Sequence, residues 1–453
     1  MERSKTKKQR NDVCIINSLP RDLVEKIFLS LPVSTLLGCS AVCKQWCNFI
    51  RDPQFVKAHL QIAPHCTLLF FPQESISKKL YPSDAVILDE AWSPSTWAVP
   101  AIGPDDYLSG SCNGLLCLYT KTSTIKIANF ATGECLHLEK PVKNLKGDHF
   151  SLYNFGFHPV TKEYKVIHFL GGHGHGKNSQ GTFNVIQVYT LGSEKWRDVA
   201  TPEALSFSSV KNSGVVNVNG TMYWLTEDSE ASWKHAVMSF DLGEETFTRI
   251  QLPTIALEEV SPGSYCRHQY WITEMDGTVC VATGRVFRRH PRVLVGKLQV
   301  WTLESKLEHR WSQMYCIQFN PDHVSGPNFI FRDKIMLHSR FCDLYLYELL
   351  GKNCSETALR NVVSLLNFNP RNPNNMQSYT CVKSLVRLDA YKKVGGVVHR
   401  PKQREGWQLK KWEAWERKLC EAEDLRSYIS EVERGESVWM KQENQSAAST
   451  TTR

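Results

Sequence analysis

The chain has 453 residues, 22% of them charged and 42% hydrophobic, with 26 Gly, 20 Pro and 13 Trp, a globular composition that excludes fibrous and fully disordered classes. No stretch approaches the ~20 apolar residues of a membrane helix, and the opening MERSKTKKQRND lacks the apolar run of a secretory leader. The formal charge of +8 is small for the length, and Arg3, Lys5, Lys7, Lys8 and Arg10 supply five of the cations, so basicity makes only a weak case for nucleic acid.

The 15 Cys are scattered without a CxxC pair, the usage expected of reduced, mostly buried thiols. The expectation is a chain kept inside the cell, cytoplasmic or nuclear. By pattern it divides into a basic disordered arm (1–14), a small three-helix segment (15–60), a β-rich body (61–388) and a charged helical tail with a disordered end (389–453).

In the helical segment Leu19, Leu23, Ile27 and Leu31 recur every four residues, with Ser18 placed to cap, Pro20 in the first turn and Pro32 closing the run. A second helical stretch spans VSTLLGCSAVCKQWCNFI, with Gly38 as its candidate break. Asp52-Pro53 then reads as the N-cap and first residue of a third helix. A unit of about 45 residues carrying this many large apolar groups cannot hide them all, so it leans on its own body or on another chain.

The body changes period. Segments such as KVIHFL, FNVIQVYTL, TMYWLT, AVMSFDL and LYLYEL are separated by turn residues, which predicts successive antiparallel hairpins. Turns at Asn113-Gly114, Thr161-Lys162, Asn219-Gly220, Asp276-Gly277 and Asp333-Lys334 lie 48, 58, 57 and 57 positions apart. A second series follows them at Ala131-Thr132-Gly133, Leu191-Gly192-Ser193, Leu242-Gly243-Glu244, Leu303-Glu304-Ser305 and Leu350-Gly351-Lys352. About four strands per repeat is the signature of a β-propeller. Five units are visible, and TLLFF (67–71) with YTCVKSLV (379–386) would assemble a sixth and join the domain's ends. In the tail, Trp412, Trp415, Leu419, Ala422, Leu425, Ile429 and Val432 fall near one helical face.

The residues LPxDLVxxIFLxLPVxxLLxxxxVCKxW from Leu19 to Trp46 resemble an F-box. The body resembles the F-box-associated, kelch- or propeller-like domain of the large plant F-box family, through CNGLLCL, NFATGE, FGFHPVTKEYKVI, VYTLGSEKWRDV, VNGTMYWL, SFDLGEETFTRIQLP, LQVWTL and YTCVKSLV. It departs from the family pattern at Phe130, where Pro is common, and at Phe157-His158, where Tyr-Asp is frequent. The resemblance implies a non-enzymatic substrate receptor of an SCF-type ubiquitin ligase. The F-box would bind a Skp1-like adaptor, and through it a cullin-RING ligase, while the propeller holds an unidentified protein target. Leu19, Pro20, Leu23, Ile27, Leu31, Pro32, Leu36, Val42, Cys43 and Trp46 would then make the adaptor contact or hold the helices that make it. The competing reading is a propeller-based enzyme or small-molecule sensor regulated through its F-box.

Other constellations carry less. GGHGHGKN (171–178) spells a phosphate-loop pattern, but Asn178 replaces the required hydroxyl and a strand follows where a helix is needed. His173 and His175 have no third metal ligand at sensible spacing. Cys39, Cys43 and Cys47 recur at four-residue steps, too spread along one helix for one ion, and Cys112 and Cys117 are expected on opposite faces of one strand. No cofactor or metal is therefore expected. The run RVFRRHPRVLVGK places Arg285, Arg288, Arg289 and Arg292 between two strands, where a basic loop could dock an acidic or phosphorylated partner.

Overall fold

The computed structural model describes residues 20–71, 84–89 and most of 106–399, short connecting segments apart. The basic arm, Ser18, Leu19 and the expected tail helix around Trp412 and Trp415 lie outside the described residues.

The N-terminal segment forms four helices rather than three: α1 (Arg21–Leu29), α2 (Val33–Cys39), α3 (Lys44–Ile50) and α4 (Pro53–Ile62). The added helix arises because the second stretch is interrupted between Cys39 and Lys44, one residue beyond the candidate break at Gly38. The Ser40 hydroxyl donates to the Leu37 carbonyl at 2.7 Å, and the Cys43 thiol accepts the Trp46 N–H at 3.4 Å, so Cys43 is an extended cap for α3. Cys39, Cys43 and Cys47 consequently do not share a helical face. The prolines also shift by a role: Pro20 is the N-cap of α1 and Pro32 that of α2. Asp52 accepts the Gln54 N–H at 2.8 Å with Pro53 in the first turn of α4, as the sequence predicts.

Two residues after α4, β1 (His65–Phe71) begins the propeller and β2 (Asp84–Leu88) follows. The first blade is β3 (Tyr107–Cys112), β4 (Leu115–Tyr119), β5 (Ile125–Asn129) and β6 (Cys135–Leu138). The second is β7 (Phe150–His158), β8 (Glu163–His173), β9 (Ser179–Thr190) and β10 (Arg197–Asp198), with β11 (Ser208–Val210) also on β9. The third is β12 (Val215–Val218), β13 (Thr221–Glu227), β14 (His235–Asp241) and β15 (Phe247–Gln251). The fourth is β16 (Cys266–Met275), β17 (Thr278–His290), β18 (Val293–Ser305) and β19 (Arg310–Phe319). The fifth is β20 (Pro327–Phe331), β21 (Lys334–His338), β22 (Leu344–Leu350) and β23 (Ala358–Ser364).

The chain then returns. Strand β24 (Gln377–Val382) pairs antiparallel with β1 to make the three-stranded sheet β2-β1-β24, and β25 (Val398–His399) adds a fifth strand to the first blade beside β6. The closure expected from TLLFF and YTCVKSLV is therefore present, in the register Leu68↔Tyr379 and Thr67↔Thr380. The inner strands contact one another in the cycle β3, β7, β12, β16, β20, β24 and back to β3. Because β25 belongs to the first blade, the propeller reaches residue 399, past the boundary read at 388.

Turn chemistry matches the repeat. Asn113-Gly114, Asn219-Gly220 and Asp276-Gly277 all have positive φ at both positions, the two-residue hairpin turn that follows the sheet's twist. At Gly114 a Cβ would also come within 2.5 Å of Ser384 Oγ and 2.6 Å of the Val382 carbonyl, so glycine is fixed there twice over. Between blades the core is aliphatic and aromatic: Ile167, Phe169, Met222, Trp224, Met238 and Phe240 pack between the second and third, with Phe169 and Trp224 ring centroids 5.2 Å apart. Cys112 and Cys117 sit on two different strands and face the same cluster around Leu115 and Tyr164, contrary to the expectation of one strand and two faces.

Candidate functional site

The helical segment has a filled interior and an apolar outer face. Phe28, Val33, Leu36, Ile50 and Phe55 are buried. Phe28 meets Trp46 edge-on at 5.2 Å and Phe49 at 5.6 Å, and Phe49 meets Phe55 at 4.9 Å. His59 ties α4 to the link between α1 and α2 through a ring nitrogen 3.0 Å from the Leu31 carbonyl. With that interior complete, Leu23 stays 43% exposed, Ile27 41% and Val42 64%. Leu23 and Ile27 are one turn apart on α1 and share a face.

The residues read from the sequence as adaptor-contacting thus separate into groups. Pro20, Leu23, Ile27, Pro32 and Val42 are exposed; Leu31, Cys43 and Trp46 are half-buried; Leu36 is fully buried and belongs to the interior. Cys43 works as a helix cap and Trp46 as the wall against Phe28. Phe28 is the residue that sequence reasoning passed over. It follows Ile27 directly, and the four-residue series through Ile27 marks the outer stripe, which leaves Phe28 facing inward.

On the propeller, each blade's second and third strands are joined on one rim, and its first two and last two strands on the opposite rim. The basic run lies on the first of these rims, within a hairpin and not in a loop between separate strands. Strand β17 continues to His290 and β18 resumes at Val293, because Val286-Phe287 and Val293-Leu294-Val295 extend the ladder. Arg285 stands opposite Lys297 on one side and His268 on the other, a row of three basic positions across the sheet. Arg288 pairs with Leu294, a bulge follows between Arg288 and His290 that contains Arg289, and Arg292 lies outside the described residues. The GGHGHGKN segment starts on the same rim. Gly171 to His173 end β8 and Ser179 opens β9, so strand follows strand, while His175 falls outside the described residues.

Four thiols of the body are held protonated. Burial pushes Cys112 and Cys117 up to about 12, and Cys135 and Cys280 to about 11, outweighing the smaller effects of their neighbours. Among the described residues no cluster of three or more His, Cys, Asp or Glu could hold a metal, and no helix is long and apolar enough to cross a membrane.

Comparison with known proteins agrees with this architecture. Residues 16–58 match the F-box domain, and residues 67–333 match the F-box associated beta propeller domain. Relatives in Arabidopsis thaliana include the F-box protein At3g07870, 25% identical over 67% of this chain and 73% of its own length. They also include the F-box/kelch-repeat protein At3g23880, 24% identical over 52% of this chain and 66% of its own. Among solved structures, an alpha-L-arabinofuranosidase from Lactobacillus brevis covers 65% of this chain and 92% of its own at 10% identity and a TM-score of 0.30, which carries no argument about fold or activity. The propeller match alone spans more than half of the 453 residues, and with the helical match preceding it the chain belongs to the F-box proteins that carry an F-box-associated β-propeller.

Proposed function

We propose that the protein is the substrate-recognition subunit of an SCF-type ubiquitin ligase, seated on a Skp1-like adaptor by its helices and holding a target on its propeller. The observation that carries the reading is the exposed α1 face. Leu23 and Ile27 remain open over a filled aromatic interior, within a segment that matches the F-box, and a surface of that kind is what docking on a partner removes from water. The chain itself needs no catalytic group in this role. It raises the local concentration of a target's lysines near a ubiquitin-loaded enzyme on other subunits.

The test is capture of purified Skp1-like adaptor by the full chain. Leu23→Asp with Ile27→Asp is expected to abolish capture while leaving the β-rich circular dichroism unchanged. Retained capture would overturn the assignment of this face.

For the target we assign the rim that carries the β17–β18 hairpin, where the His268, Arg285 and Lys297 row supports an acidic or phosphorylated segment as ligand. Arg285→Glu with Arg288→Glu should release targets captured in cells with the proteasome blocked, while adaptor capture persists.

A further inference from the structure

The described cysteines of the propeller differ in what they face. Cys112 and Cys117 sit against one apolar cluster and Cys280 lies in another, while Cys135 lies near Lys126 and Asp106. Cys66 and Cys381 face each other. They are directly opposed in the antiparallel register of β1 and β24, 7% and 4% exposed, with their sulfurs 2.7 Å apart. The Cys66 thiol also donates to the Cys381 carbonyl at 3.2 Å. The two sulfurs stand within about 0.7 Å of the ~2.05 Å length of a disulfide. Strands β1 and β24 are the first and last long strands of the propeller, and their pairing joins its ends.

We propose that Cys66 and Cys381 form a reversible oxidation site whose disulfide fastens the closure of the propeller. The oxidant is a low-molecular-weight disulfide. One cysteine, as thiolate, attacks a sulfur of that disulfide, forming a mixed disulfide and releasing one small thiolate. The second cysteine, after losing its proton, attacks the protein-side sulfur, forming the Cys66–Cys381 bond and releasing the second small thiolate. The two protons lost by the protein are taken up by the two leaving thiolates, so two protein thiols are oxidised and one small disulfide is reduced to two thiols.

Placement in the ladder sets the access. His65↔Val382 is the terminal pair and Cys66↔Cys381 the next, so local opening at this end of the ladder is the route by which a small disulfide reaches the sulfurs. In the closed ladder, burial and the neighbouring Cys66 hold the Cys381 thiol well above its ordinary range, which slows oxidation of the reduced pair.

The experiment equilibrates the full chain in a series of reduced and oxidised glutathione ratios, quenches with iodoacetamide under denaturing conditions and maps the digest by mass spectrometry. The expected result is a Cys66–Cys381 linked peptide that accumulates toward the oxidising end and vanishes with dithiothreitol. Thermal unfolding of the oxidised form should shift upward by several degrees relative to the reduced form. The conservative pair Cys66→Ser and Cys381→Ala, prepared singly, should each remove that difference. The proposal is overturned if both cysteines remain fully alkylated at every ratio, if they link to other cysteines instead, or if the linked form melts with the reduced one. The first two readouts need only the unaltered protein, so a variant that misfolds leaves the test intact.

Discussion

Three turns show how single residues set the blade repeat. The Asn129 carbonyl accepts the Gly133 N–H at 2.8 Å, that of Asp241 the Glu245 N–H at 2.9 Å, and that of His158 the Lys162 N–H at 2.9 Å. The closing residue has positive φ each time, at 73°, 56° and 60°. The first residue's side chain completes the turn: Asn129 Oδ1 accepts the Ala131 N–H at 2.8 Å, Asp241 Oδ1 those of Gly243 at 2.8 Å and Glu244 at 2.9 Å, and His158 Nδ1 that of Thr161 at 3.1 Å. Burial raises the Asp241 carboxyl, but the Glu244 and Gly243 N–H groups more than offset it and hold the carboxyl below 3.8. A group held low in the folded state contributes stability above its ordinary range and loses it as the pH falls through the folded value. Asp241→Asn should therefore cost about 1 kcal/mol at pH 7, with the gap to the unaltered protein closing below pH 3.8, as read by thermal unfolding across pH. Asn129 does more than cap. Its amide donates to the Ser384 carbonyl at 3.1 Å and the Val386 carbonyl at 2.7 Å, and Glu134 accepts the Leu388 N–H at 2.9 Å. Asn129→Ala should cost about 3 kcal/mol by orphaning these buried groups, measured by denaturant titration. The turns were legible as a periodic series of loops. The grip of Asn129 and Glu134 on a segment more than 250 positions away was not, because nothing local signals a partner so distant.

Between elements, charge supplements apolar packing. Lys165 on β8 is buried, donates to the Leu242 carbonyl and meets Glu245 at 3.0 Å, while Arg197 beside β9 pairs with the same Glu245. Burial raises the Glu245 carboxyl, but the two cations outweigh it and hold it low. Lys165→Met strips one cation from the half-buried Glu245 carboxylate and should destabilise the second and third blades by about 2 kcal/mol, read by chemical denaturation. Strand segments here were legible from their period and their β-branched and aromatic residues, with lengths underestimated where the β17–β18 ladder runs through five basic positions. Helix count failed for a specific reason. A cysteine capping α3 is not among the residues that announce a helix start, so the apolar period ran across the break at Ser40 to Cys43.

For the whole molecule, the sheet that unites β2, β1 and β24 matters most. It is anchored to the first blade by the Tyr379 hydroxyl, which donates to the Leu108 carbonyl at 3.1 Å. A chain ending at residue 399 is expected to keep a single cooperative melt, whereas one ending at 376 should lose it and aggregate, as followed by calorimetry and light scattering. This closure was legible because β1 and β24 stood outside the five repeats with no partner of their own. The exposed α1 face was legible as an apolar surplus, but which of its residues turn inward required the helices in place. The same sheet sets a schedule for biosynthesis. A ribosome delivers β1 some three hundred residues before β24, at about 5–20 residues per second. The nascent protein therefore carries an unmatched, apolar edge for roughly a quarter of a minute to a minute, and control of its synthesis amounts to guarding that edge until the final strand arrives.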